Sequence, residues 1–160
     1  MMIGAAALSR TASYRAAVVH GNFPNVSTSA TDAEQWVQAA AKQGAQLVTF
    51  AEGGLGSNTA FDSRDTCEPL PSVGAALCGN ASIPLASAMS CLAQKYDIYI
   101  VMAMCDVQPC NRSAGVDCSW AERGWFHFNT QIALSPSGRL IAKYHKVQSH
   151  VHSVCSAPPA

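Results

Sequence analysis

Between residues 15 and 50 a short apolar run, a helical pattern and a second short apolar run follow in order, with one glycine between the last two. Residues 15 to 19 (Arg-Ala-Ala-Val-Val) read as a buried strand, and Gln46 to Phe50 as another. Thr31 and Glu34 have capping-box spacing, a hydroxyl at the helix start and a carboxylate three residues on. Trp36, Val37, Ala40 and Ala41 then mark one apolar face, and Gly44 ends the helix. Two strands joined through a helix and a tight turn lie parallel. The segment therefore predicts a βαβ unit and an α/β fold.

The rest of the chain extends that sheet. Asn22 to Ser29 is a loop, and Gly53 to Ala81 is a long irregular stretch rich in Gly, Pro, Asn and Ser. Pro84 opens a second helix whose apolar stripe is Leu85, Met89, Leu92 and Tyr96. Ile98 to Met104 is a third strand, hydrophobic throughout, as a sheet covered on both faces requires. Cys105 to Gly124 reads as a loop. Phe126, Phe128, Thr130, Ile132 and Leu134 alternate with polar or small residues, Ser135 to Gly138 is a turn, and Arg139 to Lys146 returns as a hairpin partner. The division expected is a disordered leader at 1–13, one domain at 14–146 and a disordered tail at 147–160.

Composition removes several function classes. The chain has 160 residues, 49% of them hydrophobic and 12% charged, a globular balance. Ten acidic and ten basic side chains give zero net charge with no run of either sign, which argues against a nucleic-acid groove. No apolar stretch reaches the eighteen or so residues that span a bilayer. Seven cysteines and three Asn-x-Ser sequons, at Asn25, Asn80 and Asn111, point to an oxidising, secretory history. Met1 to Leu8 is apolar but short, with no basic residue ahead of it, so it makes a poor signal peptide. Cys67, Cys78, Cys110 and Cys118 lie in loops as candidate disulfide formers, with three pairings open. Cys91 and Cys105 read as buried thiols, and Trp36 as core. A zinc set of Cys105, Cys110, Cys118 and His127 is the sharper alternative, but its spacings are wider than usual. His145, His150 and His152 read as part of a solvated tail.

The chemistry is expected at the carboxyl ends of the strands. Glu52 lies two residues past one apolar strand and Lys146 ends another. A carboxylate partly shielded by Phe50 has its pKa raised, a nearby ammonium lowers it again, and the same ammonium can stabilise an oxyanion. A thiol beside the two would complete an amide-hydrolysing trio.

Phe50-Ala51-Glu52-Gly53-Gly54, Ser90-Cys91-Leu92-Ala93, Cys105-Asp106-Val107-Gln108-Pro109-Cys110, Phe128-Asn129-Thr130 and Gly138-Arg139-Leu140-Ile141-Ala142-Lys143-Tyr144-His145-Lys146 occur in that order. In order and spacing they resemble motifs of the nitrilase superfamily of carbon–nitrogen hydrolases, in its biotinidase and vanin (pantetheinase) branch. The resemblance covers residues 15 to 146. It implies a partial α-β-β-α sandwich, Glu52 as general base and Lys146 as oxyanion stabiliser. It also implies a mechanism without metal or cofactor on a small linear amide such as biocytin or pantetheine, with secretion and glycosylation. Ala51 departs from the family's proline, and Gln148 to His152 from its apolar continuation. The family's nucleophilic cysteine is expected downstream of Lys146, and Cys155 comes too soon to match it. The chain therefore reads as an incomplete copy of such a hydrolase. The alternatives are an inactive relative that binds a small molecule or partner, or a non-functional gene-model fragment.

Overall fold

The structure, a computed structural model, describes residues 13–20, 26–53, 55, 67–119 and 121–146. Those residues form a mixed α/β architecture of five strands and two α-helices: β1 (Ala16–Val19), α1 (Val26–Lys42), β2 (Leu47–Phe50), α2 (Pro84–Tyr96), β3 (Tyr99–Pro109), β4 (Trp125–Leu134) and β5 (Leu140–His145). The sheet order is β1-β2-β3-β4-β5. The first three strands are parallel, and β4 and β5 are added antiparallel. Since β5 reverses β4, it runs with β2 and β3, and the carboxyl ends of all three reach one rim. The expected leader and tail fall almost wholly outside the described residues, as do Asn25, His150, His152 and Cys155.

One face of the sheet carries the core. Val48, Phe50, Ile100, Met102, Met104, Ile132, Leu134 and Leu140 pack there with Ala33, Val37 and Ala40 of α1 and Leu85, Met89 and Ala93 of α2. The opposite face, among the described residues, is open. Tyr99 remains 44% exposed and Val18 75%, so β3 is not sheathed on both sides and β1 is an edge strand rather than a buried one. An apolar groove of about 400 Å³ runs over this open face between Leu47, Tyr99, Val101, Ala133 and Ile141.

Three local expectations are corrected. Helix α1 begins at Val26, so Thr31 lies inside it, and Glu34 instead accepts bonds from Lys95 Nζ (2.5 Å) and Tyr96 Oη (2.8 Å). The buried stripe is Ala33, Val37 and Ala40, spaced at helical intervals, and Trp36 lies off it, 47% exposed. Strand β3 continues five residues past Met104, because ten cross-strand pairs with β4 and the isolated pairing of Glu68 with Asp106 occupy its edges.

Helix α2 shows how a distant residue satisfies a helix start. Pro84 sits in its first turn and Ile83 provides no side-chain cap. The buried Glu68 carboxylate accepts the Leu85 N–H at 2.6 Å and the Ala86 N–H at 3.0 Å, supplying the missing acceptors. Burial pushes the Glu68 carboxyl above its ordinary pKa, and the two amide bonds pull it back in part. At its other end α2 meets the hairpin turn. Ser90 Oγ donates to the Gly138 carbonyl at 2.8 Å and Gln94 Nε2 to the Ser137 carbonyl at 3.0 Å.

Gly138 has φ +70°, and a Cβ there would stand 2.5 Å from Gln94 Nε2 and 2.9 Å from its Cγ. Gly138→Ala is therefore expected to destabilise the protein by about 1–3 kcal/mol, read from the urea midpoint. An unchanged midpoint would mean that the turn relaxes freely.

Between β4 and β5 the ladder slips. Leu134 pairs with Leu140 but Ala133 with Ala142, leaving Ile141 as an extra residue.

Candidate functional site

Phe50 is buried at the end of β2, and the chain emerges at Glu52 before Gly53 turns it with φ 73°. On the far side of the sheet, Asn129 of β4 accepts the Lys146 backbone N–H at 2.8 Å, which prolongs the hairpin ladder to Lys146. Strand residues alternate between faces, so Gln131, Asn129, Tyr144 and Lys146 all project to the open face.

Glu52 and Lys146, 94 residues apart in sequence, meet there. Lys146 Nζ donates to Glu52 Oε1 at 2.7 Å. Asn129 Nδ2 donates to the same oxygen at 2.6 Å. Among the described residues Oε2 accepts no bond, which leaves it as the oxygen that can take a proton. A hollow of about 260 Å³ surrounds the pair, lined by Glu52, Asn129, Gln131, Tyr144 and Lys146. The site is wet: the Glu52 side chain is 56% exposed and that of Lys146 39%.

Of the two opposed effects on Glu52, the ammonium prevails. The Lys146 bond first, then the Asn129 bond, holds the carboxyl below its ordinary value, against a smaller upward push from burial. The pair thus adds stability above the unfolded value of about 4.3, and that contribution disappears as pH falls through the lower folded value. A carbon-13 NMR titration of the Glu52 carboxyl is expected to show a depressed midpoint that rises in Lys146→Met. A midpoint at the ordinary value in both proteins would mean that the bond does not persist in solution.

On the covered side of the same strand end lies a second ionic group. Asp106, with no exposure, accepts the Leu70 N–H at 3.0 Å and Gln108 Nε2 at 2.6 Å through Oδ1. Its Oδ2 takes Lys143 Nζ at 3.1 Å and His145 Nε2 at 2.8 Å. The His145 ring stacks on Phe128 at 3.9 Å. His145 thus belongs to the sheet rather than to a solvated tail. Residues 145 and 146 face opposite ways, one anchored to Asp106 and the next presented to Glu52.

The cysteines differ from expectation. Cys67 pairs with Cys105, Cys78 with Cys91, and Cys110 with Cys118. Cys91 and Cys105 are therefore half-cystines, because a loop approaches the helix at one and residues 67–70 run beside β3 at the other. The zinc set is excluded for the same reason, since three of its four members are cross-linked. The described residues contain no free thiol. The three bridges fit an oxidising compartment.

Asn129 and Asp106 lie within the longer sequence motifs, where nothing assigns either a role. The available signals were an amide on the polar phase of β4 and a lone carboxylate ending an apolar run.

Comparison with known proteins sets this geometry in context. Residues 11–157 match the family model for carbon–nitrogen hydrolases. Pantetheinase from Mus musculus is 36% identical over 120 residues, an alignment covering 69% of this chain and 22% of that protein. Biotinidase from Takifugu rubripes is 33% identical over 129 residues, covering 75% and 25% respectively. The chain thus spans about a quarter of the length of these curated relatives. Among solved structures, an amidase from Nesterenkonia sp. has a TM-score of 0.57 at 17% identity, covering 98% of this chain and 52% of that one. Saccharomyces cerevisiae Nit3, of the nitrilase superfamily, has a TM-score of 0.57 at 18% identity, covering 89% and 48%. At such identities the structures show a shared fold.

Proposed function

The chain belongs to the carbon–nitrogen hydrolase family, and on that premise we propose that it carries the acid–base half of a site hydrolysing small linear amides of the pantetheine or biocytin type. The observation that supports this reading is the meeting of the Glu52 carboxylate with the Lys146 ammonium and the Asn129 amide at one rim. In this reading Oε2 of Glu52 removes a proton from the nucleophile and returns it to the departing amine. The Lys146 ammonium takes up negative charge as the amide carbonyl oxygen becomes an oxyanion. Attack by a thiol forms an acyl–sulfur bond and breaks the carbon–nitrogen bond, after which water releases the acid. That thiol is not among the described residues. The three disulfides and the sequons at Asn80 and Asn111 support an extracellular setting.

The test is amine release. The purified protein is incubated with pantetheine or biocytin, and free cysteamine or lysine is measured. Turnover abolished by Glu52→Gln supports the proposal, and turnover indifferent to that change overturns it. One observation favours a second reading, in which the hollow binds a ligand without turnover: every described cysteine is cross-linked. Saturable binding of the same amides with no amine released would establish that alternative.

A further inference from the structure

The Cys67–Cys105 disulfide lies one strand away from the hollow, on the same face of the sheet as Asn129, which lines it. Cys105 stands directly opposite Asn129 across β3 and β4, and Asn129 bonds to Lys146 across β4 and β5. The three residues form one row on the open face. Glu52 leaves the end of β2, yet its carboxylate reaches Asn129 on β4. With β3 between those strands, each spacing being about 4.8 Å, the Glu52–Asn129 contact spans the width of β3. Ala103 and Cys105 of β3 are buried, at 3% and 5% exposure, on a face otherwise open.

The two half-cystines differ in exposure. Cys67 is only half-buried and Cys105 is enclosed. Thiol–disulfide exchange depends on access to the attacked sulfur and on how well the leaving sulfur carries charge. Access selects Cys67. The ammonium of Lys146, in the same row as Cys105, favours departure of that sulfur as thiolate, while the Glu52 carboxylate opposes it.

We infer that the Cys67–Cys105 bridge is a directional exchange site for low-molecular-weight thiols, whose rate is set by the Glu52–Lys146 pair. The incoming thiolate forms a sulfur–sulfur bond with Cys67, the Cys67–Cys105 bond breaks, and its electron pair leaves on Cys105. A second equivalent of the same thiol then attacks the mixed disulfide. Two thiols are oxidised to their disulfide and both cysteines are reduced. The inference is independent of amide turnover, so it can fail while the hydrolase reading stands, and the reverse.

The probe is reduced glutathione added to the full chain, with acid quench, alkylation of free thiols and peptide mass spectrometry. The expected first product carries glutathione on Cys67 and the alkyl group on Cys105. Lys146→Met is expected to slow its formation roughly threefold and Lys146→Arg to preserve it, while Glu52→Gln accelerates it by a similar factor. Both Lys146→Met and Glu52→Gln break the same ion pair, so opposite signs separate a charge effect from loosened structure. The Cys78–Cys91 bridge is the internal control and should keep its rate in all variants. An adduct on Cys105, equal directions of change in Lys146→Met and Glu52→Gln, or a parallel change at Cys78–Cys91 would overturn the inference.

Discussion

If Glu52 is the base of the proposed reaction, Glu52→Gln is expected to lower amide hydrolysis by roughly 10²–10⁴-fold, the usual size of a lost general base. The substitution is informative because it keeps the shape. A glutamine oxygen can still accept the Lys146 and Asn129 bonds now made at 2.7 and 2.6 Å, so the hollow stays intact. What disappears is the carboxylate oxygen that takes the proton in the proposed reaction, one that accepts no bond among the described residues. The loss should therefore fall on kcat with little change in KM. The pH profile gives a second readout. With Lys146 holding the Glu52 carboxyl low, Glu52 remains ionised at neutral pH, and the proposed reaction should have its acid limb below the ordinary glutamate range. Lys146→Met should move that limb upward as well as reduce the rate. A Glu52→Gln protein as fast as the parent would assign proton transfer elsewhere.

The largest stability effect is expected at Asp106. Asp106→Ala removes the acceptor of four bonds, from Leu70, Gln108, Lys143 and His145. Those donors come from β3, β5 and the 67–70 segment, and the Lys143 side chain is only 17% exposed. Deleting one member of a buried ionic group leaves its partners uncompensated, at a cost of about 3–5 kcal/mol. For a chain of this size the melting temperature should fall on the order of 10 °C. Asp106→Asn keeps an acceptor for the Leu70 N–H and should cost less. If Asp106→Ala moved the urea midpoint by under about 1 kcal/mol, the donors would have found water, and the cluster would be more solvated than its burial implies.

The parts of the fold legible in the sequence were those written locally. The period-two alternation from Phe126 to Leu134 located β4, the Ser135–Gly138 turn fixed the hairpin, and Pro84 marked the start of α2. Glu52 and Lys146 were legible as a pair because each stands where an apolar run stops, and parallel strands bring such ends to one rim. What failed depended on partners distant in sequence. Thr31 and Glu34 had capping-box spacing, but Lys95 and Tyr96 claim the carboxylate. Trp36 is apolar and lies next to the stripe, yet Ala33, Val37 and Ala40 let the helices approach closely while an indole would hold them apart. Cys105 resembled a buried thiol because nothing near it in sequence shows residues 67–70 coming alongside. Asp106 was similarly opaque, since its donors come mostly from elements 36 to 39 positions away.

The extra residue in β5 has an effect out of proportion to its size. Counting in twos from Leu140, which fills the core, an unbroken strand would send positions 142, 144 and 146 to that same side. Ile141 inverts this parity. Leu140 stays inside, while Lys146 comes out to Glu52 and His145 goes in to Asp106. One inserted side chain thus decides which of two adjacent basic residues meets which of two carboxylates, and a compensated deletion there would exchange their destinations without altering a single ionisable group.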